Sequence, residues 1–373
     1  MSLAAQGDAQ GDVPRTWIDR LYPYGYYSTV DGLWGGALYG WSAPMVELGR
    51  PEPHYADLRL LGAASTKGSY RIALTADAPA WWTGWRVGLR LDAARANRFG
   101  YYGQGNDTRY DPDSVRELGP YYYRVSRTSR IARLTVQRRI AGPLRVLLGG
   151  SLERTAFRIL PGESRFRRDS ASGAVSPDDD PFTDAVIRAG LVLDWRDQEI
   201  DPHRGIFAEA LVADGNGYTR TTAALRGYVH PLERLIVAAR IAGERITGSP
   251  RPPVAPQLTM ESSEGAFVAL GGYRSLRGFH DGRFLGPGKL VGGVEVRYAI
   301  RWRPRLFEIK LVAFYDVGRV FGPGEAWRLT TDGLHHGGGA AVAAALLRNT
   351  LVVVGVARSR EGTEAVVGTR WSY

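Results

Sequence analysis

The amino-acid sequence predicts an all-β fold, a 16-stranded antiparallel transmembrane β-barrel. Three observations indicate this fold class. Apolar and polar residues alternate with a period of two along most of the chain, the alternating segments are long, and short and long connections between them follow in turn. Together they favour strands that cross a membrane over transmembrane helices or a soluble sheet.

The alternation is clear in residues 307–318, where Ile309 and Leu311 lie on one predicted face and Glu308 and Lys310 on the other. Alternation over this length is typical of a strand with one apolar and one polar face. A barrel strand needs about 9–11 residues to cross a membrane, whereas strands of soluble sheets usually have about five or six. A large soluble β-sandwich or propeller is the alternative, because its strands also alternate.

Counting the alternating segments gives sixteen predicted strands, at residues 17–28, 32–42, 54–65, 68–78, 83–96, 120–139, 143–160, 183–196, 205–214, 217–230, 233–246, 288–301, 306–321, 334–347, 350–359 and 364–373. Tight turns such as 141–143 follow even-numbered strands. The long connections follow odd-numbered strands, at residues 97–119, 161–182, 247–287 and 322–333. Outer-membrane barrels have short periplasmic turns and longer outer loops, so both chain ends are predicted to be periplasmic.

Composition excludes several other classes. The mean hydropathy is −0.23 and no apolar run approaches 18 residues, which excludes a bundle of transmembrane helices. The 40 aromatic residues (10 Trp, 19 Tyr and 11 Phe) argue against disorder, and the absence of cysteine excludes disulfides and thiolate metal sites. The net charge of +10 comes from arginines spread along the chain, so we expect no nucleic-acid partner.

Both ends of the chain and the aromatic residues near strand ends give further predictions. Residues 1–16 carry no signal-peptide pattern and are predicted to be a flexible periplasmic segment, followed by the barrel at residues 17–373. Aromatic residues near strand ends suit the interface girdles of a membrane barrel: Tyr39, Trp41, Trp81, Trp82, Trp302 and Trp371. Tyr373 is predicted on the apolar face beside Trp371, at the end of the final strand.

Candidates for catalysis are poor. The six histidines lack metal-ligand spacing, and no nucleophile elbow or P-loop occurs, so we expect no enzyme activity, no cofactor and no metal. The run Gly337–Gly339 is predicted to permit close packing or curvature in a strand. The acidic run Asp178–Asp180 is predicted to be a solvated part of an outer loop, with cation or lipopolysaccharide contact as the alternative.

Four segments, residues 101–107, 193–205, 271–279 and 314–318, carry recognisable motifs, and together they resemble the BamA/TamA outer-membrane assembly and secretion superfamily. Residues 271–279 (GGYRSLRGF) are similar to the signature of its sixth outer loop, and residues 314–318 (FYDVG) to the motif on its thirteenth strand. Residues 193–205 resemble its Asp-x-Arg-Asp…Pro-x-Arg-Gly turn, and residues 101–107 a segment common in members with reduced periplasmic parts. The aromatic ending of the chain looks like the signal that directs barrels to the outer-membrane assembly machinery.

The residues and the resemblance together predict an ion cluster. Asp316 and Glu295 fall on the polar, inward faces of neighbouring strands, and a cation on an inward-folded loop could be held by both. The resemblance supplies that cation and implies an inward-folded sixth outer loop, with these residues: Arg277, Gly278, Phe279, Glu295, Asp316 and Gly318. A second group is predicted to fix one periplasmic turn, with substrate binding as the alternative: Asp194, Arg196, Asp197, Asp201, Arg204 and Gly205.

The resemblance implies insertion of polypeptides into the outer membrane, or translocation across it, through a lateral seam between the first and last strands. We expect a monomer whose partners are outer-membrane lipids, lipopolysaccharide and an unfolded or exported polypeptide. The alternative is a passive small-solute channel or a structural surface barrel without assembly activity. Residues 1–16 leave no room for the family's periplasmic POTRA domains, so the chain is either the barrel portion of a longer protein or belongs to a group without them.

Overall fold

The computed structural model describes residues 16–28, 30–45, 51–175, 182–250, 254–303, 307–346 and 350–373. Within these ranges, sixteen strands form one antiparallel sheet in which each strand pairs with its neighbours in chain order. The strands of this sheet are β1 (Ile18–Ser28), β2 (Gly32–Pro44), β3 (His54–Ser65), β4 (Tyr70–Trp82), β5 (Trp85–Gly100), β6 (Arg124–Ala141), β7 (Leu144–Arg158), β8 (Phe182–Arg196), β9 (Gly205–Gly215), β10 (Tyr218–Leu232), β11 (Leu235–Gly248), β14 (Gly288–Arg303), β15 (Phe307–Phe321), β16 (His335–Leu346), β17 (Thr350–Ser359) and β18 (Gly362–Gly368).

The remaining elements are short and lie in the connections. They are the helices α1 (Pro112–Leu118) and α2 (Arg165–Ala171), a 3₁₀ turn (Ala255–Leu258), and the small hairpin of β12 (Thr259–Met260) and β13 (Phe267–Val268). Asp111 caps α1 because its carboxylate accepts hydrogen bonds from the first free backbone N–H groups. In the described part of the chain, every helix is too short or too polar to span a membrane.

The predicted all-β, antiparallel architecture is confirmed, and each predicted strand overlaps one strand of the large sheet. The bounds differ mainly at strand ends. The largest difference is in the final strand, which ends at Gly368 rather than continuing to Tyr373. Among the described residues, β1 and β18 are edge strands with no hydrogen bonds to each other. The N-terminal segment lies outside these ranges except for its last residue, and so do Asp178–Asp180.

The sheet has two different faces because side chains alternate along each strand. In β15, Glu308 and Lys310 are buried, whereas Leu311 and Tyr315 are about half exposed. The inner face is defined here as the one that carries the buried polar residues. The outer face carries the exposed apolar ones. The turn end is the end with the short connections, and the loop end is the end with the long connections.

The predicted aromatic girdle is found only in part. Tyr39, Trp41 and Trp82 are exposed on the outer face near the turn end. Trp81 lies half-buried with its ring 5.6 Å from that of Trp17. The placement of Trp371 on the apolar face is wrong, because this side chain is buried. The side chain of Trp302 lies outside the described part of the structure.

Candidate functional site

The connection between β11 and β14, described at residues 249–250 and 254–287, packs against the inner face of the sheet, and these residues are called the inner loop here. Its apolar side chains form a buried cluster with residues of β14 and β15. Leu270, Leu276 and Phe284 are almost completely buried in this cluster. Burial of this apolar surface holds the loop against the strands.

Glycines permit the close approach of the loop to the strands. Gly278 has a φ of +91°, a conformation that strains any residue with a Cβ. A Cβ at Gly337 of β16 would lie 1.9 Å from the carbonyl oxygen of Arg277. A Cβ at Gly318 of β15 would lie 2.7 Å from the side chain of Leu270. The close packing predicted at Gly337 is therefore confirmed.

Arg277 lies at the centre of a buried ion cluster. Its Nε and Nη2 donate to the two carboxylate oxygens of Asp316, at 2.6 and 2.9 Å, and its Nη1 donates to Glu295 at 2.5 Å. Its guanidinium carbon also lies 3.7 Å from the centre of the Phe314 ring. Burial disfavours the charged form, but Glu295 and Asp316 outweigh it and raise the pKa of Arg277. The structure thus brings together the three charged residues that the sequence predicted.

The neighbours of this cluster extend it along the inner face. Arg297 donates twice to the second oxygen of Glu295, at 2.9 and 2.6 Å. Phe279 is buried, and its ring contacts Phe284 at a centroid distance of 5.2 Å. Each carboxylate oxygen of Asp316 and Glu295 therefore accepts at least one hydrogen bond from a guanidinium group. This is the condition for a stable buried ion pair.

The inner loop also carries two carboxylates that sequence reasoning missed, Glu261 and Glu264. Glu261 accepts hydrogen bonds from Arg133 at 3.1 Å and from Arg220 at 3.3 Å. Glu264 accepts from two further arginines of the inner face, Arg196 at 2.8 Å and Arg226 at 2.5 Å. Despite burial, Arg196 and Arg226 lower the pKa of Glu264. The loop thereby neutralises four arginines on three strands, β6, β8 and β10.

The predicted turn network is present but is not confined to its turn. Arg196 binds Asp194 through two hydrogen bonds of 2.8 Å. The carboxylate of Asp197 accepts from the backbone N–H of His203 and of Arg204, whose own side chain is exposed.

Gly205 ends this turn with a φ of +113°. A Cβ there would lie 2.0 Å from the backbone oxygen of Trp195, so the turn requires glycine.

Asp201 belongs to a second buried cluster, which the sequence analysis did not predict. The His203 ring, 3.4 Å from Asp197 and 3.6 Å from Asp201, joins this cluster to the turn network. It accepts from the ammonium of Lys310 at 2.5 Å and from the indole Nε1 of Trp371 at 2.8 Å. Glu308 lies 2.6 Å from the same ammonium. Lys310 is 109 residues and Trp371 is 170 residues away from Asp201 in the sequence, so spacing gave no indication that they meet.

His203 adds a titratable group to this second cluster. Burial opposes its charged form, but the carboxylates of Asp197, Asp201 and Glu308, at 3.4, 3.6 and 3.8 Å from its ring nitrogens, raise the pKa of His203 to about 10. In the described ranges, Asp201, His203 and Glu308 form the only group with ligand atoms close enough to hold a metal ion. The ammonium of Lys310 lies between the two carboxylates, where a metal would have to bind, so this geometry favours lysine over a metal.

Residues 369–373 leave the sheet and fold onto the inner face, which corrects the prediction of a strand ending with Tyr373 on the apolar face. The guanidinium of Arg297 lies 3.7 Å from the centre of the Trp371 ring, and that of Arg240 lies 4.4 Å from the centre of the Tyr373 ring. Buried cations stack on both aromatic rings, and Trp371 donates to a buried carboxylate. These contacts with buried charged groups place both rings on the inner face rather than on the apolar outer face.

The segment at residues 101–107 contacts the inner loop near the loop end. Gln104 forms an isolated parallel bridge with Leu285 of the inner loop. Asn106 donates to the carbonyl oxygen of Gly333 at 2.8 Å and accepts from the backbone N–H of Val320 at 3.1 Å. The connection between β5 and β6 is thus joined at the loop end both to the inner loop and to the connection between β15 and β16.

Comparisons with known proteins agree with this geometry. The family model described as the Omp85 superfamily domain matches residues 58–343. No curated protein sequence matches the chain.

Three solved structures resemble the fold. BamA from Haemophilus ducreyi lacking POTRA domains 1–3 is 12% identical, with a TM-score of 0.57, over 95% of this chain and 69% of that one. CdiB from Escherichia coli is 10% identical, with a TM-score of 0.55, over 94% of this chain and 60% of that one. CdiB from Acinetobacter baumannii is 12% identical, with a TM-score of 0.50, over 95% and 58%. The chain thus spans less than two thirds of either CdiB.

The substitution Arg277→Ala is expected to lower the free energy of unfolding by about 3–5 kcal/mol, because it leaves Asp316 buried without its main partner. Urea unfolding of the protein refolded in liposomes measures this loss. The matched control is Arg116→Ala in α1, where an exposed ion pair with Asp113 is removed and a loss below about 1 kcal/mol is expected. Equal losses in the two variants would contradict the role of the cluster.

His203 is expected to make stability depend on pH. Its pKa is raised from 6.5 in the unfolded chain to about 10 in the fold. Its charged form therefore stabilises the fold fully below pH 6.5, and this contribution is lost as the pH rises towards 10. Urea unfolding between pH 6.5 and 10 should show a steeper loss of stability for the wild type than for His203→Gln. Parallel curves would refute the assignment.

Proposed function

The chain belongs to the Omp85 superfamily, and from this premise we propose that it inserts polypeptides into the outer membrane, or translocates them across it, through a lateral seam. As a member of that family it is an outer-membrane β-barrel protein of Gram-negative bacteria. The proposal places the seam between β1 and β18, which close the 16-stranded sheet into a barrel spanning residues 17–373. It places the turn end in the periplasm and the loop end outside the cell.

The observation that carries this proposal is the short final strand. β18 has seven residues, whereas about 9–11 are needed to cross the membrane as a barrel strand. The five residues after it are held on the inner face by contacts such as Trp371 with Asp201. The seam therefore has few backbone hydrogen bonds available, and its strand edges can pair with an incoming strand by β-augmentation.

Membrane deformation supports the same mechanism. A wall that is shorter than the hydrocarbon layer draws the two leaflets together, which lowers the barrier to insertion beside it. The inner loop keeps the remaining strands in place while the seam opens, because Arg277 fixes it to β14 and β15. The mechanism needs no catalytic residue, cofactor or metal, and a monomer surrounded by outer-membrane lipids suffices.

A folding assay tests the proposal. The chain is refolded into liposomes, an unfolded barrel protein is added, and its folding rate is compared with the rate in empty liposomes. We expect a several-fold acceleration that is retained with Arg116→Ala and lost with Arg277→Ala. Heat-modifiable gel mobility establishes that each variant is folded. No acceleration by the folded wild type would overturn the proposal, and a large open conductance that persists in Arg277→Ala would then identify a passive channel.

The membrane-facing role of the outer face gives a separate prediction. Leu134 of β6 is about half exposed on that face, and Leu134→Arg is expected to lower the free energy of unfolding in liposomes by about 2–4 kcal/mol. Leu329 is more exposed but lies in the connection between β15 and β16, so Leu329→Arg should change stability little. Urea titration measures both variants. Equal effects would show that the outer face of β6 does not contact lipid.

A further inference from the structure

The outer face carries an unusual pair of arginines. Arg130 of β6 and Arg154 of β7 are directly opposite each other across the two strands, and both are exposed. Neither has an acidic partner or a hydrogen-bond acceptor among the described residues. A third exposed arginine, Arg95 of β5, lies two positions beyond Ala93, which pairs with Arg130. The patch therefore concentrates positive charge on a face that is otherwise apolar.

Two costs accompany this arrangement. Like charges directly opposite each other destabilise an antiparallel pair of strands. Arginine on the lipid-facing side of a barrel is also unfavourable, with a cost that falls from the middle of the bilayer towards the interface. An anionic group between the two guanidinium groups would remove the repulsion and satisfy their donors.

A groove of about 510 Å³ adjoins the two arginines on the outer face. Arg130 and Arg154 contribute to its lining, and six of the ten other lining residues are leucine or isoleucine, including Leu60, Ile72, Leu74 and Leu91; Asp92 also lines it. The surface thus combines two cations with an elongated apolar depression. A small polar anion would leave the apolar part of the groove unused.

The position of the arginines matches the boundary of the membrane. Trp85 lies on the outer face at the turn end of β5, and Ala93, level with Arg130, is eight residues further along the strand. Eight residues in a tilted barrel strand rise by roughly 20 Å, close to the roughly 25 Å height of the apolar band. The intervening outer-face residues, Val87, Leu89 and Leu91, are apolar. The arginines therefore lie where lipid headgroups begin.

We propose that Arg130, Arg154 and the adjoining groove form a binding site for a phosphate-bearing lipid of the outer leaflet. The phosphate lies between the two guanidinium groups, whose planar donors match its geometry, and an acyl chain lies in the groove. Arg95 adds a further positive charge beyond the phosphate. The site is on the outer wall, so it is independent of the inner loop and of the proposed seam.

Titration of the detergent-solubilised chain with three ligands tests this site. Phosphatidic acid carries both the phosphate and the acyl chains, diacylglycerol carries only the chains, and inorganic phosphate carries only the anion. Native mass spectrometry or lipid-dependent thermal shift measures binding. We expect phosphatidic acid to bind at least about tenfold more tightly than either of the other two, since two charge-assisted contacts combine with apolar burial.

The double variant Arg130→Gln/Arg154→Gln should weaken binding of phosphatidic acid at least about tenfold. The matched control is Arg245→Gln, because Arg245 is also exposed at the loop end but lies opposite Thr221 and Gly288. Its binding should be unchanged. Unchanged affinity in the double variant would overturn the proposal. Equal binding of inorganic phosphate would identify a free-anion site, and equal binding of diacylglycerol an apolar groove alone. Heat-modifiable mobility establishes that both variants fold.

Discussion

Arginine buried against a sheet must be neutralised by carboxylates that are buried with it, and this requirement organises the inner face. Arg277 satisfies it with Asp316 and Glu295, and Arg297 completes the charge balance of Glu295. Removing any member leaves an uncompensated charge in a fully buried site, which costs far more than the pair itself contributes. The inner loop is therefore fixed at its tip by residues of β14 and β15.

The same requirement explains the rest of the inner loop. Glu261 and Glu264 reach arginines of β6, β8 and β10 that would otherwise repel one another across the inner face. The loop is thus both an apolar plug and a source of counter-charges. Lys310 and Asp201 repeat the arrangement nearer the turn end, where Trp371 completes the hydrogen bonds of Asp201. Loop, turn and final segment are consequently parts of one connected polar interior.

Sequence reasoning predicted the strands because alternation is a local property that each strand shows by itself. It also brought Arg277, Asp316 and Glu295 together, since parity placed the carboxylates inward and the resemblance supplied the arginine. It failed at Trp371 and Tyr373, because the alternation continues through these residues although the chain has already left the sheet. It missed Lys310 with Asp201, and Glu261 with Arg133, because these pairs form between distant parts of the chain. The identity of such partners depends on how a long loop packs, which no local pattern records.

A double-mutant cycle between Arg277 and Asp316 tests most directly whether one buried ion cluster holds the inner loop to the sheet. Urea unfolding is measured in liposomes for the wild type, Arg277→Ala, Asp316→Ala and the double variant. We expect a coupling energy of about 2–3 kcal/mol, because the second substitution removes a charge that the first has already left unpaired. Losses that add to within about 0.5 kcal/mol would contradict the account, since they would show that the two residues stabilise the protein independently.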